Sequence, residues 1–286
     1  MAGFLRKLMP KRFRKDGIVI PVVKLQGAII SGGGQFRPAL NLASVAPMLE
    51  KAFSVKDAPA VAITINSPGG SPVQSRLIFT RIRELAREKQ KKVLVFVEDV
   101  AASGGYMIAL AGDEIIADPT SIVGSIGVVS GGFGFPELLK KIGVERRVYT
   151  AGEHKVMLDP FQPEKPEDVA RLQAIQREIH KNFIDLVRSR RGARLTGPEK
   201  TLFSGEYWVA STALGYGLID RLGELRSVLR ERYGEDVLMP VVAASRGLFG
   251  RLAPATGSSE LAARPGLAEE VVSAIEARAL WARFGL

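Results

Sequence analysis

Along the first half of the chain, short β-branched runs alternate with stretches whose apolar residues recur every three or four positions. Buried strands give the first pattern and one-sided helices the second, so the alternation predicts an α/β domain. Ile18 to Ile30 reads as a strand pair or one bent strand, closed by glycines after Ser31. Leu42, Val45, Leu49 and Phe53 share a helical stripe. Val61 to Ile65 (VAITI) predicts a buried strand that runs into the turn-rich Asn66-Ser67-Pro68-Gly69-Gly70. A helix over Pro72 to Lys92 follows from Val73, Leu77, Ile78, Ile82 and Leu85, then a second strand over Val93 to Val97 (VLVFV). A second small-residue break, Ala101 to Gly105, precedes apolar Tyr106 to Ala111, and Glu114 to Ala117 reads as a third strand. Strand, glycine break and helix, twice over, place two backbone loops at one edge of a parallel sheet. Ligands of such sheets sit outside the carboxyl ends of the strands.

The second half is more helical. Asp168 to Arg190 carries Leu172, Ile175, Ile179, Phe183 and Leu186 on one stripe, and Val237 to Val242 reads as a last strand. Residues 243–266 are rich in Ala, Gly, Ser and Pro and read as a linker, and 267–286 regain helical spacing. The expected organisation is a basic arm over 1–16, a main α/β unit over 17–242, the linker over 243–266 and a C-terminal helix over 267–286.

Composition narrows the chemistry. The 286 residues are 46% hydrophobic and 24% charged, a globular balance, with no cysteine and two histidines. Thiol nucleophiles, Cys-ligated zinc and iron–sulfur clusters are thereby removed, and little is left for a histidine metal site. The formal charge of +10 is unevenly spread. Residues 1–16 hold Arg6, Lys7, Lys11, Arg12, Arg14 and Lys15 against Asp16, half of the total. Phe4, Leu5, Leu8, Met9 and Phe13 interleave with them, a pattern suited to an anionic membrane surface and equally to a solvated tail. The apolar run Gly17 to Val23 is short and lacks a cleavage site, so it reads as a strand and not a leader. No run approaches a spanning helix.

Ser103, in Asp99-Val100-Ala101-Ala102-Ser103-Gly104-Gly105-Tyr106, falls between a buried strand and an apolar helix. Free amides there, with those of the Asn66 to Gly70 loop, suit a carbonyl oxygen as it becomes an oxyanion, although both loops also read as ordinary tight turns. A nucleophilic serine needs a base. His180 lies among charged residues of the long helix and reads as a surface group. His154 and Lys155 are adjacent, and apolar Val156-Met157-Leu158 beside Lys155 would favour a neutral amine.

The strings Asn66 to Gly70, Ala102 to Tyr106, Gly124-Ser125-Ile126-Gly127-Val128, Ala151 to Lys155 and Trp208 to Gly223 together resemble the signal peptide peptidase A family of serine peptidases, over roughly 18–233. The resemblance implies an α/β crotonase-like and Clp-protease-like fold with repeated ββα units and a Ser–Lys dyad. By position, Ser103 would be the nucleophile and Lys155 the base. Gly70 with the amide of Ser103 or Gly104 would form the oxyanion hole, and Ser125 would orient the lysine. No metal or cofactor is implied. The expected substrates are peptides, spent signal peptides among them. The expected assembly is a homo-oligomer in which one copy's lysine completes a neighbour's site. Val128-Val129 and Phe133 to Phe135 suggest small or apolar substrate side chains. The expected location is cytoplasmic, with peripheral contact to the membrane's inner face through 1–16 and no membrane-spanning segment. Two departures stand out: the anchor of many family members is missing, and His154 beside Lys155 offers a second candidate base. The alternatives are an acyl-CoA enzyme of the same fold and a membrane-associated scaffold. Nucleic acid is disfavoured because no basic and aromatic interleaving occurs outside the arm.

Overall fold

The computed structural model describes residues 17–32, 40–243 and 278–286. The basic arm and the linker lie outside them, as does most of the stretch expected to be the C-terminal helix. Among the described residues the elements run β1 (Val22–Gln26), α1 (Leu42–Phe53), β2 (Ala60–Ser67), α2 (Pro72–Glu88), β3 (Lys92–Ala102), α3 (Gly104–Ala109), β4 (Glu114–Ala117), β5 (Ile122–Gly124), α4 (Pro136–Lys141), α5 (Pro166–Arg191), a 3-10 turn (Gly192–Arg194), α6 (Glu199–Leu202), β6 (Tyr207–Val209), α7 (Ala210–Gly215), β7 (Arg221–Leu222) and α8 (Leu225–Tyr233).

The protein is an α/β fold around one seven-stranded sheet, ordered β1-β2-β3-β4-β7, with β5 beside β3 and β6 beside β5. Every pairing is parallel except β5 with β6. Parallel strands need both faces covered, and β2 is buried along its whole length. Its residues divide between two cores. Val61, Ile63 and Ile65 join Val45, Leu49, Ile78 and Ile82 of α1 and α2, whereas Ala60 and Ala62 join Val228 and Leu229 of α8. Small residues on the second side let α8 and the 237–239 loop lie close to the sheet.

Three elements depart from the sequence expectation. β3 extends to Ala102, five residues past the apolar run that announced it, because Val100 to Ala102 pair with β5 after Leu94 to Val97 have paired with β4. No named strand forms over 237–242; Val19 and Val22 make isolated bridges to Leu238 and Val241. Pro240 lies between them, accepts from the Val22 amide at 2.9 Å and has no N–H to continue the ladder. The C-terminal segment is helical over 278–282 and docks on the sheet, with Phe284 buried against Val100 and Ala102 and the Tyr207 hydroxyl donating to the Arg283 carbonyl at 3.0 Å.

Candidate active site

The fork in β3 delivers Ser103 to the carboxyl edge of the sheet. Ser103 follows the last residue of the strand and adopts φ 51°, ψ −121°, a conformation that non-glycine residues rarely take. Such strain is kept where surrounding contacts impose it, and a strained serine between a strand and a helix is how a nucleophile elbow exposes its hydroxyl. The imposing contact is a hydrogen bond of 2.8 Å from the Ser103 amide to the Gly124 carbonyl.

The Gly69-Gly70 loop packs against the backbone of Ser103 and Gly104. A Cβ on Gly69 would lie 2.8 Å from both the Ser103 Cβ and the Gly104 nitrogen. One on Gly104 would lie 2.3 Å from the Ser75 Oγ and 3.4 Å from the Gly70 nitrogen. The glycines therefore serve the close approach of one loop to the other. The loop is pinned from outside: the Ile29 amide donates to the Gly69 carbonyl at 2.8 Å and the Ser71 amide to the Ile29 carbonyl at 2.7 Å. No acceptor among the described residues takes the Gly70 or Gly104 N–H, and the two amides lie side by side next to Ser103.

Ser125 also arrives beside Ser103. Ala102 pairs with Gly124 across β3 and β5, so the next residue on each strand is a serine, on strands about 4.8 Å apart. Ser125 is buried at 5% exposure, has φ 54°, and donates its amide to the Glu206 carbonyl at 2.7 Å. The next carbonyl, Ile126, lies 3.0 Å from the His180 Nε2. His180 is thus half-buried behind this loop and not the surface residue its charged neighbours suggested; a helix stripe gives no sign of a hydrogen bond to a loop 54 residues away.

No hydrogen bond joins Lys155 to Ser103 among the described residues. Lys155 is exposed, in a turn over 151–156 where its own amide donates to the Gly152 carbonyl at 3.2 Å. His154 beside it is exposed as well and lies 3.3 Å from an Arg171 guanidinium nitrogen. This turn belongs to an arm closed on itself by the Phe135 amide on the Pro160 carbonyl, by Arg146 with Asp159 at 2.8 Å, and by Arg146 over the Phe161 ring. The arm exposes Val129, Phe133, Leu138, Ile142 and Val144.

Two supporting residues were not singled out from the sequence, although both lie inside the quoted strings. Asn66 donates its amide to Asp99 at 2.5 Å and accepts from the Val100 amide at 3.3 Å, tying the end of β2 to β3 just before both loops begin. Among the described residues no group of His, Asp or Glu could hold a metal ion, and no helix is long and apolar enough to cross a membrane.

A parallel α/β sheet whose carboxyl edge holds a strained serine beside two amides without acceptors has the arrangement that serine hydrolases use. The chain belongs to peptidase family S49, whose model matches residues 85–235. It is 34% identical over 201 residues to a putative protease of Synechocystis sp., covering 70% of this chain and 68% of that one. It is 30% identical over 210 residues to the chloroplastic serine protease SPPA of Arabidopsis thaliana, covering 72% of this chain and 31% of that protein. A Brucella abortus protein named Na(+)/H(+) antiporter NhaA is 61% identical over 291 residues, all of this chain but 39% of the relative. The chain thus spans about two-fifths of the length of that relative and of its Brucella melitensis counterpart.

Proposed function

We propose that the chain is a serine endopeptidase that cleaves peptides through Ser103. The observation that carries this reading is the strained Ser103 beside the paired Gly70 and Gly104 amides. Ser103 attacks the scissile carbonyl, Lys155 takes its proton and returns it to the leaving amine, and water then releases the acyl group. The Ser103 amide is already engaged by Gly124, so the oxyanion hole narrows from the three expected residues to Gly70 and Gly104. Ser125, one strand away, orients the lysine amine.

The lysine comes from a neighbouring copy. The exposure of Lys155 in one chain and the apolar arm that carries it support a homo-oligomer in which the arm packs on a second copy. Residues 17–242 form the peptidase unit, working at the cytoplasmic side of a membrane with the basic arm on anionic lipid. The Brucella relatives, in which a stretch like this chain is part of a protein named for a membrane antiporter, support that placement. The substrates are signal-peptide remnants or other membrane-associated polypeptides.

Labelling with a fluorophosphonate, mapped by mass spectrometry on the wild type, Ser103→Ala and Lys155→Ala, tests the assignment. Modification at Ser103 that falls sharply without Lys155 is expected. Absence of labelling together with stabilisation by coenzyme A would replace the reading with an acyl-CoA enzyme using the same two amides.

A further inference from the structure

The loop that follows β5 carries Ser125 in a backbone that needs holding. Gly124 has φ 119° and Ser125 φ 54°, so two successive residues sit at positive φ, a conformation that persists in a serine where its surroundings impose it. As far as Gly124 the sheet supplies the constraint, through pairing with Ala102 of β3 and Tyr207 of β6. At Ser125 the amide donates to the Glu206 carbonyl at 2.7 Å. Past Ser125 the chain leaves the sheet. Gly127 turns back, its amide donating to the Ser125 carbonyl at 2.9 Å, and a Cβ on it would lie 3.0 Å from the Gly205 Cα.

Between these anchors stands the Ile126 carbonyl. No backbone amide among the described residues donates to it, and its partner is the His180 Nε2 at 3.0 Å. A carbonyl only accepts, so the imidazole carries a proton on Nε2 and donates it. Ile126 is fully buried, and buried carbonyls are ordinarily satisfied. Among the described residues this is the one hydrogen bond from a side chain to the backbone of 124–127. The imidazole is itself firmly placed. His180, Phe183, Val187 and Arg191 follow at three- and four-residue spacing along one face of α5. Phe183 and Val187 are buried in the main core, and Arg191 donates to the Gly217 carbonyl at 2.7 Å and pairs with Asp220 at 2.8 Å. The helix is thus seated from one turn beyond His180 to its end.

We propose that His180 is a positioning residue of the Ser103 site, an inference that rests on the peptidase reading and on Ser125 as the group that orients the lysine amine. The Glu206 carbonyl fixes the peptide before Ser125 and His180 the peptide after it. Together they clamp both backbone torsions of Ser125 and so the direction in which its Cβ and hydroxyl leave the chain. Without the imidazole the second clamp is gone while the Gly70 and Gly104 amides stay where they are, so the loss falls on kcat and not on KM.

Peptide-cleavage kinetics of the full-length protein, with thermal unfolding alongside, test this in His180→Phe, His180→Gln, Ser125→Ala and the double variant His180→Phe/Ser125→Ala. Phenylalanine keeps a ring and removes the donor, whereas the glutamine side-chain amide supplies one. His180→Phe should lower kcat about tenfold, the rate equivalent of one hydrogen bond, with KM unchanged. His180→Gln should recover most of that loss, and the double variant should be no slower than Ser125→Ala, because the clamp then has nothing left to direct. Wild-type kcat in His180→Phe, equal losses with phenylalanine and glutamine, a rise in KM in place of the fall in kcat, or a loss that adds to that of Ser125→Ala overturns the proposal. If phenylalanine disturbs folding, His180→Ala removes the donor without crowding and takes its place in every comparison. Hydrogen–deuterium exchange over 123–128 reads the clamp without turnover: faster exchange in His180→Phe that glutamine restores upholds it, and equal exchange in all three proteins overturns it. Wild-type kcat in Ser125→Ala overturns the role of Ser125, and a wild type that cleaves no peptide and takes no fluorophosphonate at Ser103 overturns the peptidase reading; either result takes the proposal with it, whereas the outcomes above leave both readings standing.

Discussion

Replacing Gly104 with alanine isolates the fit between the two loops from the chemistry of Ser103. Gly104 has no left-handed φ, so alanine meets no backbone penalty there and the whole effect is contact. The new Cβ would stand 2.3 Å from the Ser75 Oγ and 3.2 Å from the Ile29 Cδ1. Ordinary contact begins near 3.4 Å, so one side must move by about an ångström, and neither is free to. Ser75 is fully buried and its hydroxyl donates to the Ser71 carbonyl at 2.8 Å, while Ile29 is buried and pins the Gly70 loop. Overpacking of this kind costs about 1–3 kcal/mol, or roughly 2–4 °C in Tm per kcal/mol for a domain of this size. The same shift separates the Gly70 and Gly104 amides, and loss of one oxyanion donor costs about 100-fold or more in kcat. Ser75→Ala removes the obstructing oxygen at the cost of one hydrogen bond, about 1 kcal/mol. The double variant should therefore recover part of both Tm and kcat relative to Gly104→Ala, in thermal unfolding and peptide-cleavage assays. Wild-type Tm and rate in Gly104→Ala, or strictly additive effects in the double variant, would refute the interlocking of the loops.

Four further outcomes follow from the same geometry. Ser103→Gly should melt higher than Ser103→Ala, because only glycine relieves the strain at φ 51°, worth about 1–3 kcal/mol; equal melting temperatures would show that the conformation costs nothing. Burial pushes the Asp220 carboxyl up, but hydrogen bonds from Arg191 and the Ile115 amide, with the charges of Arg191 and Arg194, outweigh it and hold the group below its usual range. That depression stabilises the fold above about pH 4, the unfolded-chain value, and is lost as pH falls through the folded one; Asp220→Asn should lower Tm at neutral pH and flatten its fall below about pH 4, so parallel Tm profiles would count against it. Mixing inactive Ser103→Ala with inactive Lys155→Ala should regenerate peptide cleavage if the lysine acts across copies, and a mixture that stays inactive after subunit exchange argues for a dyad within one chain. Flotation with anionic vesicles should carry the full chain and release it when residues 1–16 are deleted; equal flotation of both would place the membrane contact elsewhere.

Much of the site was legible because its chemistry is local. Asn66 to Gly70 and Ala102 to Tyr106 announce two glycine loops at strand ends, and β2 and β3 place both at the carboxyl edge. The division of labour within the loops was not legible. Whether the Ser103 amide is free depends on Gly124, brought over by β5, and Gly104 meets Ser75 only because α2 packs on α3. His180 was misread for the same reason: its neighbours on the helix are charged, but its partner Ile126 comes from a loop remote in sequence.

Cysteine's absence, the strand–loop–helix rhythm and the serine between glycines are properties of residue identity and short-range periodicity, and the sequence determined them alone. Only the tertiary structure decided which amides remain without acceptors, that Lys155 stands exposed in the turn over 151–156, and that β3 forks between β4 and β5. The fork, and with it the engagement of the Ser103 amide by Gly124, depends on which strands pair beyond Val97, a long-range choice made by packing both faces of the sheet and invisible to any window of neighbouring residues.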